Sequence, residues 1–302
     1  MTRDIEAHAK RIGRQDKVAT GILTAIVGAV LLLLAAIVIY ILVQGLGTAL
    51  SPGFLTGSPL DREAPGIAFE LFDSFYMLFW ALLISVPLSL GAAIFLVEYA
   101  PDNFLTRAAK MAIETLSSLP SIVVGMFGSL FFVFVMGWGI SILSGALALT
   151  MFNIPILVRV IQQALEDVPK SQRDAALAMG LTRWETTVHV LLPAAMPAIV
   201  TGIVISAGRV FGEAAALIFT AGSAPARLNF ASLNLASPTC PWNIFRPAET
   251  MAVHIWKLRM EPTPGNDMIA WGTAAILVLC ILLFNVLARV LGKALARMLT
   301  SE

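Results

Sequence analysis

Long apolar runs separated by short polar segments dominate the chain from Val18 onward. A membrane-crossing helix takes about 20 mostly apolar residues. Val18–Gln44 meets that length without a charged side chain. Phe69–Val97 follows, with Asp73 near one end, Pro87 and Gly91 inside, and Glu98 as its stop. No charged residue occurs between Glu114 and Arg159, and Gly137, Gly139, Ser141, Ser144 and Gly145 cluster near the middle of that stretch. This predicts a tight hairpin of two helices, Leu119–Met136 and Ile140–Val160. Ala194–Thr220 and Ile269–Leu291 complete six spans. The expected fold class is therefore all-α, a polytopic six-helix membrane bundle, between a polar arm at 1–18 and a tail at 294–302.

The basic residues orient these spans, because Lys and Arg concentrate on the cytoplasmic side. With the N-terminus inside, fourteen fall on inner segments: Arg3, Lys10, Arg11, Arg14, Lys17, Arg107, Lys110, Arg159, Lys170, Arg173, Arg183, Arg289, Lys293 and Arg297. Only Arg62, Arg227, Arg246, Lys257 and Arg259 fall outside, and Arg209 lies within a span. Both termini are expected in the cytoplasm. Two connections are long for a bundle: an inner one at 161–193, and an outer one at 221–268, rich in Pro and Trp, in which short helices lying on the outer surface are expected.

Composition agrees with the pattern. Apolar residues make up 58% of the chain and charged residues 13%, against about 25% charged in soluble domains. The net charge of +1 gives no sign of nucleic-acid binding. Residues 1–18 are too charged for a signal core, and the following run is too long for one. Cys240 and Cys280 fall in unlike surroundings, a polar loop and an apolar run, which argues against a disulfide. His8, His189 and His254 are scattered and indicate no metal site.

The inner connection carries the most information. Pro169, Ser171 and Asp174 read as a helix start, the segment to Met179 is Ala-rich, and Gly180 can end the helix in the left-handed conformation. Thr182 and Glu185 stand at capping-box spacing for a second helix, and Pro193 would set the entry into the fifth span. Ala175, Ala176 and Ala178 would allow a partner to pack closely. On residue chemistry alone, this is either an ordinary loop or a docking element.

The spacing Asp174-Ala175-Ala176-x3-Gly180-x9-Val190-x-Leu192-Pro193 resembles the EAA loop of ABC-importer permeases, E-A-A-x3-G-x9-I-x-L-P, with Asp for Glu and Val for Ile. In that family the loop docks on the ATP-binding cassette subunit. Residues 75–293 further resemble the phosphate-specific permeases, the PstA family. The matching segments are Phe152-Asn-Ile-Pro155-Ile-Leu-Val-Arg159, Gly208-Arg209-Val-Phe-Gly212-Glu213, His254-Ile-Trp-Lys257, Ala270-Trp271 and Leu283-Phe-Asn285-Val-Leu-Ala-Arg289. The Thr-Thr-Glu that often follows the fourth-helix Arg is absent. The resemblance implies an importer of inorganic phosphate in the bacterial inner membrane. Its partners would be a PstC-like second permease, two PstB-like ATPase subunits that bind ATP and Mg, and an external phosphate-binding protein.

Arg209 and Glu213 are the charges placed inside a span. A charge at the bilayer centre costs roughly 2.5–3.5 kcal/mol on insertion scales and needs a partner or a wet cavity. Four residues apart, the two share a helix face. They read either as a self-neutralising structural pair or as a translocation site. In the second case the guanidinium would grip an oxyanion bidentately. Glu213 would keep the site from binding too tightly and accept a hydrogen bond from monoprotonated phosphate, whereas sulfate has no proton to donate.

Other features have plain readings. Pro87 and Pro155 are expected kinks, and Met126, Phe127, Phe131, Phe132, Phe134 and Met136 are expected lipid or helix contacts. Glu70 and Asp73 are expected to reach the outer headgroups. Trp80, Trp138 and Trp271 are expected at the interfaces. No G-x-x-x-x-G-K-[ST] occurs, so ATP must be hydrolysed by another polypeptide, and this chain is expected to hold no catalytic residue and no cofactor. The rival readings are a permease for another oxyanion or small solute (sulfate, molybdate, phosphonate), a channel or secondary transporter, and a membrane scaffold.

Overall fold

The computed structural model describes residues 2–61, 65–225, 227–261 and 263–300. Arg62 and Pro262, and the side chains of Arg3, Lys10, Arg11, Arg14, Lys293 and Arg297, lie outside the described set. The described chain forms helices α1 (Thr2–Ala49), α2 (Ala68–Ile94), α3 (Phe104–Ser117), α4 (Ser121–Gly128), α5 (Ile142–Glu166), α6 (Lys170–Ala178), α7 (Arg183–Thr186), α8 (Leu192–Phe211), α9 (Ala215–Thr220), α10 (Met251–Met260) and α11 (Asn266–Thr300), with no strand among the described residues. Five helices are long and apolar enough to cross a membrane, and a bent pair, α3 with α4, brings the number to six.

α5 is the central helix, with 67% of its apolar window enclosed, and α1 is the peripheral one, with none. α5 packs on α2 and α8, while α1 lies along α11. At the second contact a Cβ added to Gly45 would stand 2.6 Å from that of Ala275, so glycine permits the approach. Ile142, Leu149, Leu157, Ile161 and Leu165 of α5 are almost wholly buried. Pro87 and Pro155 both sit inside uninterrupted helices.

Two of the expected straight spans are broken. The expected helix Leu119–Met136 starts at Ser121, and it joins α3 at a bend of 104°. Pro120 explains the bend: its ring disfavours helical geometry at Leu119 and it cannot donate back into α3. From Ser129 to Val135 the helix widens into π geometry, and at ~1.5 Å per residue this arm alone is shorter than a bilayer core. The expected fifth span ends at Phe211, turns through Gly212–Ala214 and resumes as the six-residue α9. α4 and α9 run parallel, Gly125 against Ala216 and Gly128 against Thr220, and a Cβ on Gly125 would lie 2.5 Å from the Ala216 Cα. The two short arms therefore begin at similar depth, beside the α8–α9 break.

Candidate functional site

Three sets of polar residues divide the bundle along α2. One end carries α6 and α7, the other carries α10, and the third set lies between them.

At the first end, Pro169 precedes α6, and Gly180 closes it with φ +87°. Gly180 N–H donates to Leu177 O at 3.0 Å and Leu181 N–H to Ala176 O at 3.2 Å, the bonds of a Schellman ending. The expected capping box is present: Thr182 N–H donates to Glu185 Oε2 (2.8 Å), and Glu185 N–H to Thr182 Oγ1 (3.2 Å). The helix beginning at Arg183 does not stop at Pro193 but runs to Phe211. A π turn over Thr187–Leu191 widens the ladder just where Pro193 cannot donate.

Asp174, Ala175, Ala178 and Gly180 are exposed, as are Met179 (83%) and Trp184 (59%), while Val190, Leu192 and Pro193 are half-buried. Ala176 corrects the expectation of three alanines facing a partner: it is buried against its own chain. Arg173, turned inward, makes an ion pair with Glu98, at the π-helical end of α2. Together with Val97, Leu177, Arg183 and Thr186 the pair lines a cleft of about 230 Å³.

In the middle, Arg209 sits in the last turn of α8, and Glu213 lies in the break, where its Oε1 accepts the N–H of Ala216 at 3.2 Å. The two do not share a helix face and form no ion pair, which removes the self-neutralising arrangement. Arg209 instead lays its guanidinium 4.1 Å from the centre of the Phe152 ring, and its residue surface is exposed. One residue on, Asn153 donates to Ser85 Oγ (3.0 Å) and accepts from Ser206 Oγ. This relay ties α2, α5 and α8 together beneath the arginine, and all three side chains are buried. Ser85, Asn153 and Ser206 read in the sequence as neutral residues of apolar helices.

At the α10 end the expectation for Glu70 and Asp73 fails. Both are buried, enclosed by the segment 241–258 rather than open to headgroups. Arg246, counted as a loop residue, is 1% exposed. Its fork donates to Asp73 Oδ1 (2.5 Å) and Oδ2 (3.2 Å) and to the carbonyls of Pro241 and Pro247. A fork so fully satisfied is how a buried charge is tolerated. Ser74 Oγ accepts Met251 N–H (2.9 Å), and Tyr76 Oη donates to Trp242 O (2.9 Å). α10 does form as an expected short helix, but Met251, Val253 and His254 pack inward instead of lying on a surface. His254 meets Glu249 and Glu70, so the histidines are not all isolated. Trp271, expected at an interface, supports the Arg259 guanidinium 4.6 Å above its ring.

A bundle with broken helices at its centre and a capped helical pair projecting from one end is the architecture of an ABC importer permease. The fold is similar to that of the methionine ABC transporter MetNI in an inward-facing conformation, with TM-score 0.53, 18% identity, and coverage of 78% of this chain and 94% of that one. It is also similar to a bacterial ABC transporter that imports the acidic polysaccharide alginate, with TM-score 0.55, 13% identity, and coverage of 81% and 87%.

The sequence model of the binding-protein-dependent transport system inner membrane component matches residues 85–300, and the chain belongs to that family. It is 47% identical over 288 residues to the "Probable ABC transporter permease protein YqgI" of Bacillus subtilis, covering 95% of this chain and 98% of that protein. It is 32% identical over 237 residues to the phosphate transport system permease protein PstA of Yersinia pestis, covering 77% and 74%. To the probable PstA of Methanocaldococcus jannaschii it is 31% identical over 270 residues, covering 89% and 90%. The protein is thus a multi-pass membrane permease of an ABC importer, in a family whose ATPase activity lies in a separate subunit and which takes its cargo from a binding protein.

Proposed function

We propose that this permease translocates inorganic phosphate, that Arg209 and Glu213 line its path, and that Asp174–Pro193 is the docking element for the ATPase. The observation that carries the reading is the state of Arg209. Its cation stands at a helix break between the two ends of the bundle, without a carboxylate partner among the described residues, its face on Phe152 and its donors unused. A cation so placed needs an anion, and a planar fork suits a tetrahedral oxyanion. Glu213 stands four positions on, beyond Gly212, with one oxygen on a backbone amide. The relatives named as phosphate permeases support the choice of phosphate; the YqgI relative's name carries no substrate.

The exposed Met179 and Trp184 beside the Gly180 turn form the apolar contact that an ATPase groove would cover. In this reading the α6 end and both termini are cytoplasmic, the membrane is a bacterial inner membrane, and ATP and Mg bind to the partner. A PstC-like permease and two PstB-like subunits complete the complex.

Uptake of labelled phosphate into vesicles holding the assembled importer tests this. Arg209→Gln should abolish uptake while the subunits still co-purify. Uptake at the wild-type rate would overturn the role of Arg209. Uptake of labelled sulfate or molybdate, with none of labelled phosphate, would move the cargo to another oxyanion.

A further inference from the structure

The polar cluster at the α10 end contains one carboxylate that nothing on its own chain accounts for. Asp73 is neutralised by Arg246. Glu249 Oε1 faces His254 Nδ1 at 2.9 Å, and its Oε2 faces Lys257 Nζ at 3.3 Å. Glu70 is wholly buried, yet neither of its oxygens has a hydrogen-bond partner, and the nearest cationic candidate, His254 Nδ1, is 3.7 Å away. His254 Nε2, also buried, is unpartnered as well. A carboxylate desolvated without a hydrogen bond or counter-ion is strongly disfavoured. A bound proton is one way to cancel that charge, and a bound cation that also partners the oxygens is the other.

We infer that Glu70, Glu249 and His254 bind a single divalent transition-metal cation of the Zn²⁺ or Mn²⁺ kind. One donor atom from each lies within 4.8 Å of the others. Carboxylate oxygen and imidazole nitrogen bind zinc at about 2.0–2.2 Å, so the 3.7 Å gap between Glu70 Oε1 and His254 Nδ1 admits an ion bridging them. The donor set is of the mixed imidazole and carboxylate type that zinc accepts. A cavity of about 630 Å³, lined by His254, Lys257, Asp61 and Glu261, gives access from that end of the bundle. Lys257 is 23% exposed and holds Glu249 Oε2 at the edge of the cluster; its ammonium would have to withdraw into the cavity it lines for the ion to take that oxygen. The ion would fasten α10 to the first turn of α2 and so fix the segment that encloses Arg246.

The test uses the purified full chain in lipid nanodiscs, stripped with a chelator, dialysed against Zn²⁺ or Mn²⁺, and assayed for metal content and thermal unfolding. Wild type should retain one equivalent of one of these ions per chain and unfold at higher temperature with it. Glu70→Gln and His254→Gln should each weaken retention at least tenfold and lose the metal-dependent shift, while Lys257→Met should tighten binding. Wild-type protein that retains no metal above the Glu70→Gln level would overturn the site and leave Glu70 neutralised by a proton alone. Equal retention by wild type and both variants would also overturn it, marking adventitious binding elsewhere. If Glu70→Gln does not fold, the wild-type stoichiometry and His254→Gln decide the question.

Discussion

Arg246 binds both carboxylate oxygens of Asp73 across 173 positions of sequence, and both side chains are enclosed. The pair pins the long connection before α10 onto the first turns of α2. Breaking a buried pair leaves an uncompensated charge, at a cost of about 3–5 kcal/mol. Arg246→Met or Asp73→Leu alone should therefore lower the unfolding temperature markedly in detergent and expose the segment 221–250 to protease. The double variant should recover part of that loss, because replacing both charges by apolar groups removes the orphan. Single variants as stable as wild type would show that the pair contributes nothing net.

Gly180 occupies the left-handed region at φ +87°, with open space where a side chain would project. A β-branched residue there meets backbone strain rather than a clash, roughly 1–2 kcal/mol, enough to reshape the α6–α7 turn without unfolding the bundle. Gly180→Val should insert and unfold like wild type but lose co-purification of the ATPase subunit. Retained ATPase binding would count against docking at this turn.

Glu98 and Arg173 join the end of α2 to the inward face of α6. If α6 receives the push of the ATPase, this ion pair is a direct route from it to the central helices. Glu98→Gln should leave the complex assembled but reduce phosphate-stimulated ATP hydrolysis several-fold, and the exchange Glu98→Arg with Arg173→Glu should restore part of it. Assembly and stimulation both unchanged would assign the pair to packing alone.

Membrane class, the apolar elements and the α6–α7 turn were legible because each is a local pattern: run length, a glycine after an Ala-rich turn, a Thr and a Glu three apart. The breaks at Pro120 and Gly212 were harder to read. Hydropathy averages across a helix break: Leu119–Met136 stays apolar through its own, and in Ala194–Thr220 the two charges at the break, Arg209 and Glu213, do not outweigh the apolar residues around them. The Asn153 relay and the Asp73–Arg246 pair were not legible, because each depends on partners more than fifty positions away. Charge counting places Arg246 with loop cations by its neighbours in sequence; an arginine directly before Pro247 and three positions ahead of Glu249, late in a connection, is the available signal that the connection folds back. Arg209 and Glu213 stand out by their cost in a bilayer, but a shared face four positions apart requires a continuous helix, and Gly212 ends that helix between them.

Arg209→Lys separates charge from geometry at the proposed path. Lysine keeps the positive charge but cannot present two parallel donors to an oxyanion, and it cannot lie flat on Phe152 as a guanidinium does. A hydrogen bond to a charged group is worth about 1.5–3 kcal/mol, so losing one arm of a bidentate grip should lower phosphate uptake about 10- to 150-fold at ~1.4 kcal/mol per decade. Phe152→Leu should produce a smaller loss by freeing the guanidinium from its support. Glu213→Gln should leave one oxygen to accept the Ala216 amide, preserving α9, while changing the preference between singly and doubly protonated phosphate. Uptake by Arg209→Lys equal to wild type would mean that charge alone matters there, whereas the same value for Arg209→Gln would remove the residue from the path.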